Sequence, residues 1–323
     1  MSSLRGYQSA LDRAREIAAI DRDFCLAEDQ QLVQGKNNRV LCGFYKEQPA
    51  VLKYFHDGIN KPNSIGRKST EAFSLRHFSA INGVPALYAE HDDCLIMERI
   101  AGSSFAREIM ARENGPGIRT FLDRIGCQIG RTYARFSAIK FSPEERVRLT
   151  TVFQQESSAE RLADMVSQAQ EICQTEALRD FSNTLDTIQR HLPDVLKEDV
   201  LLYKYDNNFE NMLIRDANLV GVVDFEQCYL GSETVFLGAI LDTIPDIYPL
   251  FPNRPSWESV KSAYALERGI CIDPVRHARI VAMAMLNHWQ RIVERHVQYG
   301  HLDGFLVRFR SRFETLNKML LQE

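Results

Sequence analysis

Apolar positions recur along this chain in two rhythms, and the change between them falls near residue 100. Between residues 31 and 55 the short apolar runs Leu32-Val33, Val40-Leu41-Cys42 and Ala50-Val51-Leu52 are split by Gly35-Lys36-Asn37-Asn38 and Lys46-Glu47-Gln48-Pro49. Turn formers between apolar runs predict three antiparallel strands. A stretch over 69–82 then places Ala72, Leu75, Phe78 and Ile81 on one helical face, and 86–89 and 94–97 are two more strand candidates. Upstream, Leu4, Tyr7, Leu11, Ile17 and Ala18 have the spacing of an amphipathic helix over 4–19. Beyond Gly102 the pattern is helical. Ser142-Pro143-Glu144-Glu145 and Ser157-Ser158-Ala159-Glu160 read as capping boxes, and Asp273-Pro274 opens a helix through His277, Ile280, Met283 and Leu286. Two strand-like pieces, 212–214 and 219–223, interrupt this half. The expected architecture is α+β and bilobal: an N-terminal lobe over 1–100 built on a small antiparallel sheet, a joint near 97–102, and a large helical lobe over 101–323.

Composition narrows the class. Of 323 residues, 45% are hydrophobic and 25% charged, ordinary for a globular chain with a substantial core. The 39 basic and 43 acidic residues are interspersed for a net charge of −4, which gives no support to a nucleic-acid partner or an anionic membrane surface. Seven cysteines lie far apart without a CxxC pair, as expected for reduced thiols and not for a disulfide framework or zinc site. The charged N-terminal segment does not resemble a secretory signal, and no apolar run approaches a membrane span, so the expected compartment is the cytoplasm.

The candidate chemistry lies in two stretches, Tyr205-Asp206-Asn207-Asn208-Phe209-Glu210-Asn211 and Val222-Val223-Asp224-Phe225-Glu226. Phosphoryl transfer from a nucleoside triphosphate needs a carboxylate beside the attacking hydroxyl, and an amide plus a carboxylate to hold magnesium on the phosphates. Asp206 suits the first role, Asn211 and Asp224 the second. The alternative is a polar turn at 206–208 and a strand-end aspartate at 224. Lys53 ends an apolar strand, and Glu71, 18 residues later on a helix, offers the anionic partner that a buried lysine requires. An exposed lysine on an edge strand is the other reading. The turn containing Gly35 and Asn38 has residues that tolerate positive φ, suited either to a phosphate-covering loop or to an ordinary hairpin. It is neither a Walker motif nor a dinucleotide fingerprint. The eight histidines are scattered without HExxH, and no serine sits in a GxSxG setting.

Together these segments resemble the aminoglycoside phosphotransferase and choline kinase superfamily of protein-kinase-like fold, over roughly residues 30 to 245. Gln34–Val40 is similar to its nucleotide loop, Val51-Leu52-Lys53 to its strand lysine, Glu71–Leu75 to its helix glutamate segment, and Gly83-Val84-Pro85 to a turn typical of it. The resemblance makes Leu95–Gly102 the hinge, with Met97, Glu98 and Ile100 beside adenine, Asp206–Asn211 the catalytic loop, and Asp224-Phe225-Glu226 the metal segment. It implies ATP or GTP and Mg2+ as cofactors. Three departures mark a divergent branch. Lys204-Tyr205 stands where His-Gly is usual, and Ser232–Phe236 lacks a bracing aspartate. Phe136-Ser137 occupies the place of a Leu-His pair.

The activity this implies is transfer of a γ-phosphate to a hydroxyl of a small molecule such as a sugar, an aminoglycoside-like compound, an amino alcohol or a natural product. Asp242, Asp246 and Glu258 are either acceptor-pocket acids or solvated helix surface. A protein kinase is disfavoured, because little chain follows Asp224 for an activation loop before helix resumes. An inactive binding module is the further alternative, favoured by Lys204-Tyr205 and Phe236. Neither the acceptor nor the oligomeric state is written in the chain.

Overall fold

A computed structural model describes residues 2–27, 33–34, 38–56, 63–112, 115–152, 158–174, 178–244, 254–300, 302 and 304–321. The chain divides into two compact units, Met1–Gly102 with Val220–Gln227, and Ser103–Leu219 with Cys228–Glu323.

The smaller unit begins with helix α1 (Ser2–Ile20), followed by strands β1 (Phe24–Leu26), β2 (Val33–Gln34), β3 (Arg39–Tyr45) and β4 (Gln48–Tyr54), helix α2 (Ser64–His77), and strands β5 (Leu87–Glu90) and β6 (Cys94–Glu98). Its sheet has the order β1-β3-β4-β6-β5, with β2 also on β3, and the pairs of known register are antiparallel. Side chains alternate faces along a strand. Ala50 and Leu52 of β4 therefore face one way, into a cluster with Ala14 and Ile17 of α1, Phe24, Leu41 and Ile96. The N-terminal helix thus covers one face of the sheet. Lys53 points to the other face, on a central strand in register with Val40 of β3 and Leu95 of β6. The edge-strand reading of this lysine is overturned. Helix α2 starts five residues before the expected 69, because the side chain of Asn63 accepts the Gly66 N–H and caps it there. It ends at His77, short of the expected 82.

The larger unit contains β7 (Ser103–Ser104), α3 (Phe105–Arg112), α4 (Ile118–Ala138), α5 (Pro143–Val152), α6 (Ser158–Cys173), α7 (Ser182–Val195), β8 (Val200–Lys204) and β9 (Met212–Arg215). Strand β10 (Asn218–Val222) begins in this unit and ends in the smaller one. There follow β11 (Cys228–Ser232), α8 (Glu233–Thr243), α9 (Trp257–Arg268), α10 (Pro274–Tyr299) and α11 (Leu306–Leu321). Helix α10 is central, packing on α6, α7, α8 and α11, while α4 packs on α9. Asp273 caps α10 by accepting the Arg276 N–H, with Pro274 at its first turn. The Ser142 capping box forms in both directions, Ser142 N–H to Glu145 and Glu145 N–H to Ser142 Oγ. The box at Ser157 lies outside the described residues.

Strands β8 and β11 have no counterpart in the hydrophobic pattern. They pair antiparallel, Lys204 opposite Cys228 and Tyr203 opposite Tyr229. Each is buried on both faces or nearly so, and a short run of that kind shows no alternation. Among the described residues, no helix is long and apolar enough to cross a membrane.

Candidate active site

The functional side chains fall into two groups, one in each unit. In the smaller unit the core is an ion cluster on Lys53. Its ammonium lies 2.5 Å from Glu71 Oε2 and 2.5 Å from Asp224 Oδ1, with Glu226 Oε2 at 3.9 Å. Lys53 and Glu71 are 6% and 1% exposed. Burial alone would lower the lysine pKa, but the charges of Asp224, Glu71 and Glu226 outweigh it and hold the ammonium protonated. Burial pushes the Glu71 carboxyl up, with Lys53 pulling against it. Glu71 has a second contact: the backbone N–H of Phe225 donates to its Oε1 at 3.3 Å. One helix glutamate thereby fixes both the strand lysine and the segment after β10. Phe225 is fully buried and packs on Phe78 at 5.8 Å between centroids.

Asp224 has φ of 63°, a left-handed conformation that aspartate tolerates better than most residues. Its side chain is 28% exposed, against 1% for Glu71 and 2% for Glu226. The carboxylate oxygens of Glu71, Asp224 and Glu226 lie within 4.8 Å of one another, a hard-oxygen set that suits Mg2+. All three carboxylates are engaged, Asp224 by Lys53, and Asp224 is the most exposed of them.

Glu226 is the residue whose role the motif did not disclose. It accepts from Asn38 Nδ2 at 2.5 Å and from Arg67 Nη1 at 3.1 Å. Arg67 also donates to Asn38 Oδ1 and to the His56 carbonyl. Asn38, expected beside phosphate, is thus tied to α2 and to the metal segment. Its neighbour Gly35 lies outside the described residues. Met97 is buried on β6 opposite Val51, and Glu98 gives its N–H to the Ala86 carbonyl. The Ile100 side chain lies so close to Gly221 that a Cβ there would stand 2.9 Å from its methyls.

In the larger unit, Asn211 Nδ2 donates to Asp206 Oδ2 at 3.0 Å, so the loop carboxylate and the amide five residues on are joined directly. Asn208 caps the 3-10 turn Phe209–Asn211 by accepting the Glu210 N–H. Phe209 anchors the turn against Phe105 at 4.7 Å. Lys204 is fully buried on β8, and Tyr205 is 6% exposed. The stretch Ser232–Phe236 makes its own brace. Glu233 accepts from Tyr264 Oη, Arg268 and Arg276 at 2.7–2.8 Å, while Phe236 packs on Tyr133 and Tyr203. Ser137 Oγ lies 2.6 Å from the same Tyr264 hydroxyl.

Of the acids considered for an acceptor pocket, Asp242 is fully buried and bound to Arg312 at 2.6 Å. Glu258 is exposed and pairs with Lys261, and Asp246 lies outside the described residues.

No family model matches the sequence, and none of the curated proteins matches it. Solved structures do match by shape. The aminoglycoside phosphotransferase APH(2'')-Ib bound to ADP superposes with TM-score 0.61 at 14% identity, covering 95% of this chain and 98% of that one. A choline/ethanolamine kinase family protein from Mesorhizobium loti gives TM-score 0.63 at 14% identity, covering 96% and 94%. An ethanolamine kinase from Plasmodium vivax gives 0.61 at 11%, covering 92% and 82%. The chain has the kinase-like fold of aminoglycoside phosphotransferases and choline/ethanolamine kinases.

Proposed function

We propose that the protein is an ATP- and magnesium-dependent phosphotransferase that moves the γ-phosphate to a hydroxyl of a small molecule. The observation that carries this reading is the buried Lys53–Glu71–Asp224 cluster, a lysine held by two carboxylates at 2.5 Å each. A structural ion pair needs one carboxylate. Here a second, partly exposed one at positive φ shares the ammonium, as a site that must handle both phosphate and metal requires. The fold is shared with kinases of small molecules, one of which holds ADP.

In this reading Lys53 neutralises phosphate oxygens and Glu71 orients it. Bound Mg2+ would withdraw charge from the phosphates, held by Asp224 and Asn211. Asp206 accepts the acceptor hydroxyl's hydrogen bond. As the bond from that oxygen to the γ-phosphorus forms, the bond from phosphorus to the bridging oxygen breaks. ADP departs with that electron pair and Asp206 takes the proton. Met97, Glu98 and Ile100 would border adenine, with Gly35 and Asn38 over the phosphates.

The test is thermal unfolding of wild type and Asp224→Ala in magnesium, with and without ATP or GTP. A ligand that binds only the folded state raises the midpoint. A magnesium-dependent rise in wild type that the substitution abolishes is the expected result. No rise with either nucleotide would overturn the reading.

A further inference from the structure

We propose that Arg67 and Asn38 are positioning residues that act through Glu226 on Asp224, and so couple magnesium binding to nucleotide binding. The proposal rests on the phosphotransferase reading and deepens its account of the metal segment. Helix α2 holds that segment twice. Arg67 and Glu71 stand four residues apart and so share one face of the helix. From that face Glu71 Oε1 accepts the Phe225 N–H at 3.3 Å, and Arg67 Nη1 donates to Glu226 Oε2 at 3.1 Å. Asn38, at the head of β3, bridges the second hold. Its Oδ1 accepts from Arg67 Nη1 at 2.9 Å, and its Nδ2 donates to Glu226 Oε2 at 2.5 Å. Asn38 and Glu226 are each 5% exposed, and the Arg67 side chain 11%.

A buried ion pair by itself says only that two charges had to be matched. Two features point further. The amide of Asn38 engages the cation with its oxygen and the carboxylate with its nitrogen, so it fixes how the Glu226 carboxylate is turned. Glu226 also lies two residues beyond Asp224, whose φ of 63° is left-handed. A residue with a side chain keeps such a conformation only where its surroundings over-determine it. Here the chain is pinned on both sides of Asp224. The Val222 N–H donates to the Gly83 carbonyl at 2.8 Å, Phe225 is held by Glu71, and Glu226 by Arg67 and Asn38. So pinned, Asp224 brings its carboxylate to the Lys53 ammonium at 2.5 Å. Releasing Glu226 lets Asp224 relax toward negative φ and swings its carboxylate away. The carboxylate for magnesium and the lysine for phosphate are then no longer presented together, and neither ligand helps the other to bind.

The experiment is calorimetric titration of the full-length protein with ADP, in magnesium and in EDTA, for wild type, Asn38→Ala, Arg67→Lys and the double variant. It reads the factor by which magnesium tightens ADP binding, with ligand-free unfolding midpoints recorded alongside. Asn38→Ala removes both amide contacts and leaves the Arg67–Glu226 pair in place. Arg67→Lys keeps the charge but gives up the fork that reaches Asn38, Glu226 and the His56 carbonyl together. Neither change strands a charge in the interior. The expected factor is about tenfold or more in wild type and about threefold or less in each single variant, with affinity in EDTA nearly unchanged. The double variant should lose no more coupling than the more severe single one, because the two residues act as a unit. Equal weakening with and without magnesium would make them direct nucleotide contacts or structural supports. A factor kept in both variants would show that Asp224 is held without them. Either result overturns the proposal, as does a wild type whose ADP affinity ignores magnesium. The two readings fail differently: no ADP binding by wild type in either condition sinks the phosphotransferase, whereas a magnesium factor indifferent to both substitutions sinks the positioning role alone.

Discussion

Lys53 shows how one side chain acquires its function from its neighbours. A buried ammonium is costly unless paired, and here three carboxylates surround it. Glu71 carries the greater structural share, because its second oxygen also holds the Phe225 N–H. Glu71→Ala should therefore destabilise the fold by about 3 kcal/mol, the order expected when one partner of a buried pair is removed. It should also weaken Mg-ATP binding, both read by denaturant unfolding and calorimetry. Glu71→Gln can retain the N–H contact, and recovery of stability without recovery of nucleotide affinity would separate the two duties. Asp206 makes the opposite prediction. In the proposed reaction its contact with the acceptor hydroxyl belongs mainly to the transition state, so Asp206→Asn should lower turnover by about 10²–10⁴-fold and leave nucleotide affinity within twofold. Full turnover in that variant, on an acceptor turned over by wild type, would remove Asp206 from its assigned role.

At the scale of elements, helices α4 and α9 pack together through two glycines of α4, Gly126 and Gly130, and the second meets backbone. A Cβ at Gly130 would lie 2.3 Å from the Val260 carbonyl oxygen and 3.0 Å from the Tyr264 nitrogen, both backbone atoms that cannot rotate away. Gly130→Ala should cost about 1–3 kcal/mol despite the better helix propensity of alanine, as overpacked sites do. A midpoint equal to wild type would show that the helices separate freely. The pair was not legible in the chain, because a glycine inside a helical pattern signals only a weaker helix. Elements with strong local signals were legible: the sheet strands around residues 40–54, the capped start of α5 and the Asp273-Pro274 start of α10. Strands β8 and β11 were not, since both run apolar without alternation and each finds its partner across the catalytic-loop and metal segments.

For the molecule as a whole, acid stability has an identifiable source. His288 is buried, its Nε2 beside the Phe309 carbonyl at 3.3 Å and its Nδ1 3.7 Å from Asp242. Burial, with Arg312 and Arg291 adding to it against the pull of Asp242, lowers its pKa from 6.5 to about 3. The unfolded chain binds this proton near pH 6.5 and the folded one only near 3, so stability falls as pH drops through that window. The loss is at most about 1.4 kcal/mol per pH unit. His288→Gln should flatten the dependence of the unfolding midpoint on pH between 6.5 and 4. An unchanged slope would assign the acid sensitivity to other groups.

Short-range chemistry accounts for what was readable from the residues in order. Apolar period, turn formers and caps act over a few positions, so strands and helices of the right kind followed from them. The Lys53–Glu71 pair and the Asp206–Asn211 spacing also involve near neighbours or adjoining elements. Burial obeys no such rule, because it depends on which distant segments the packed chain brings together. Asp242 looked like a surface or pocket acid until Arg312 was found against it in the core. Glu226 looked like the end of a motif until Asn38 and Arg67 closed on it, and nothing along the sequence marks Thr243 as the meeting point of Arg254 and Arg291. Those charge assignments were settled by long-range packing, where the cost of desolvation forces each buried charge to find a partner wherever the chain returns.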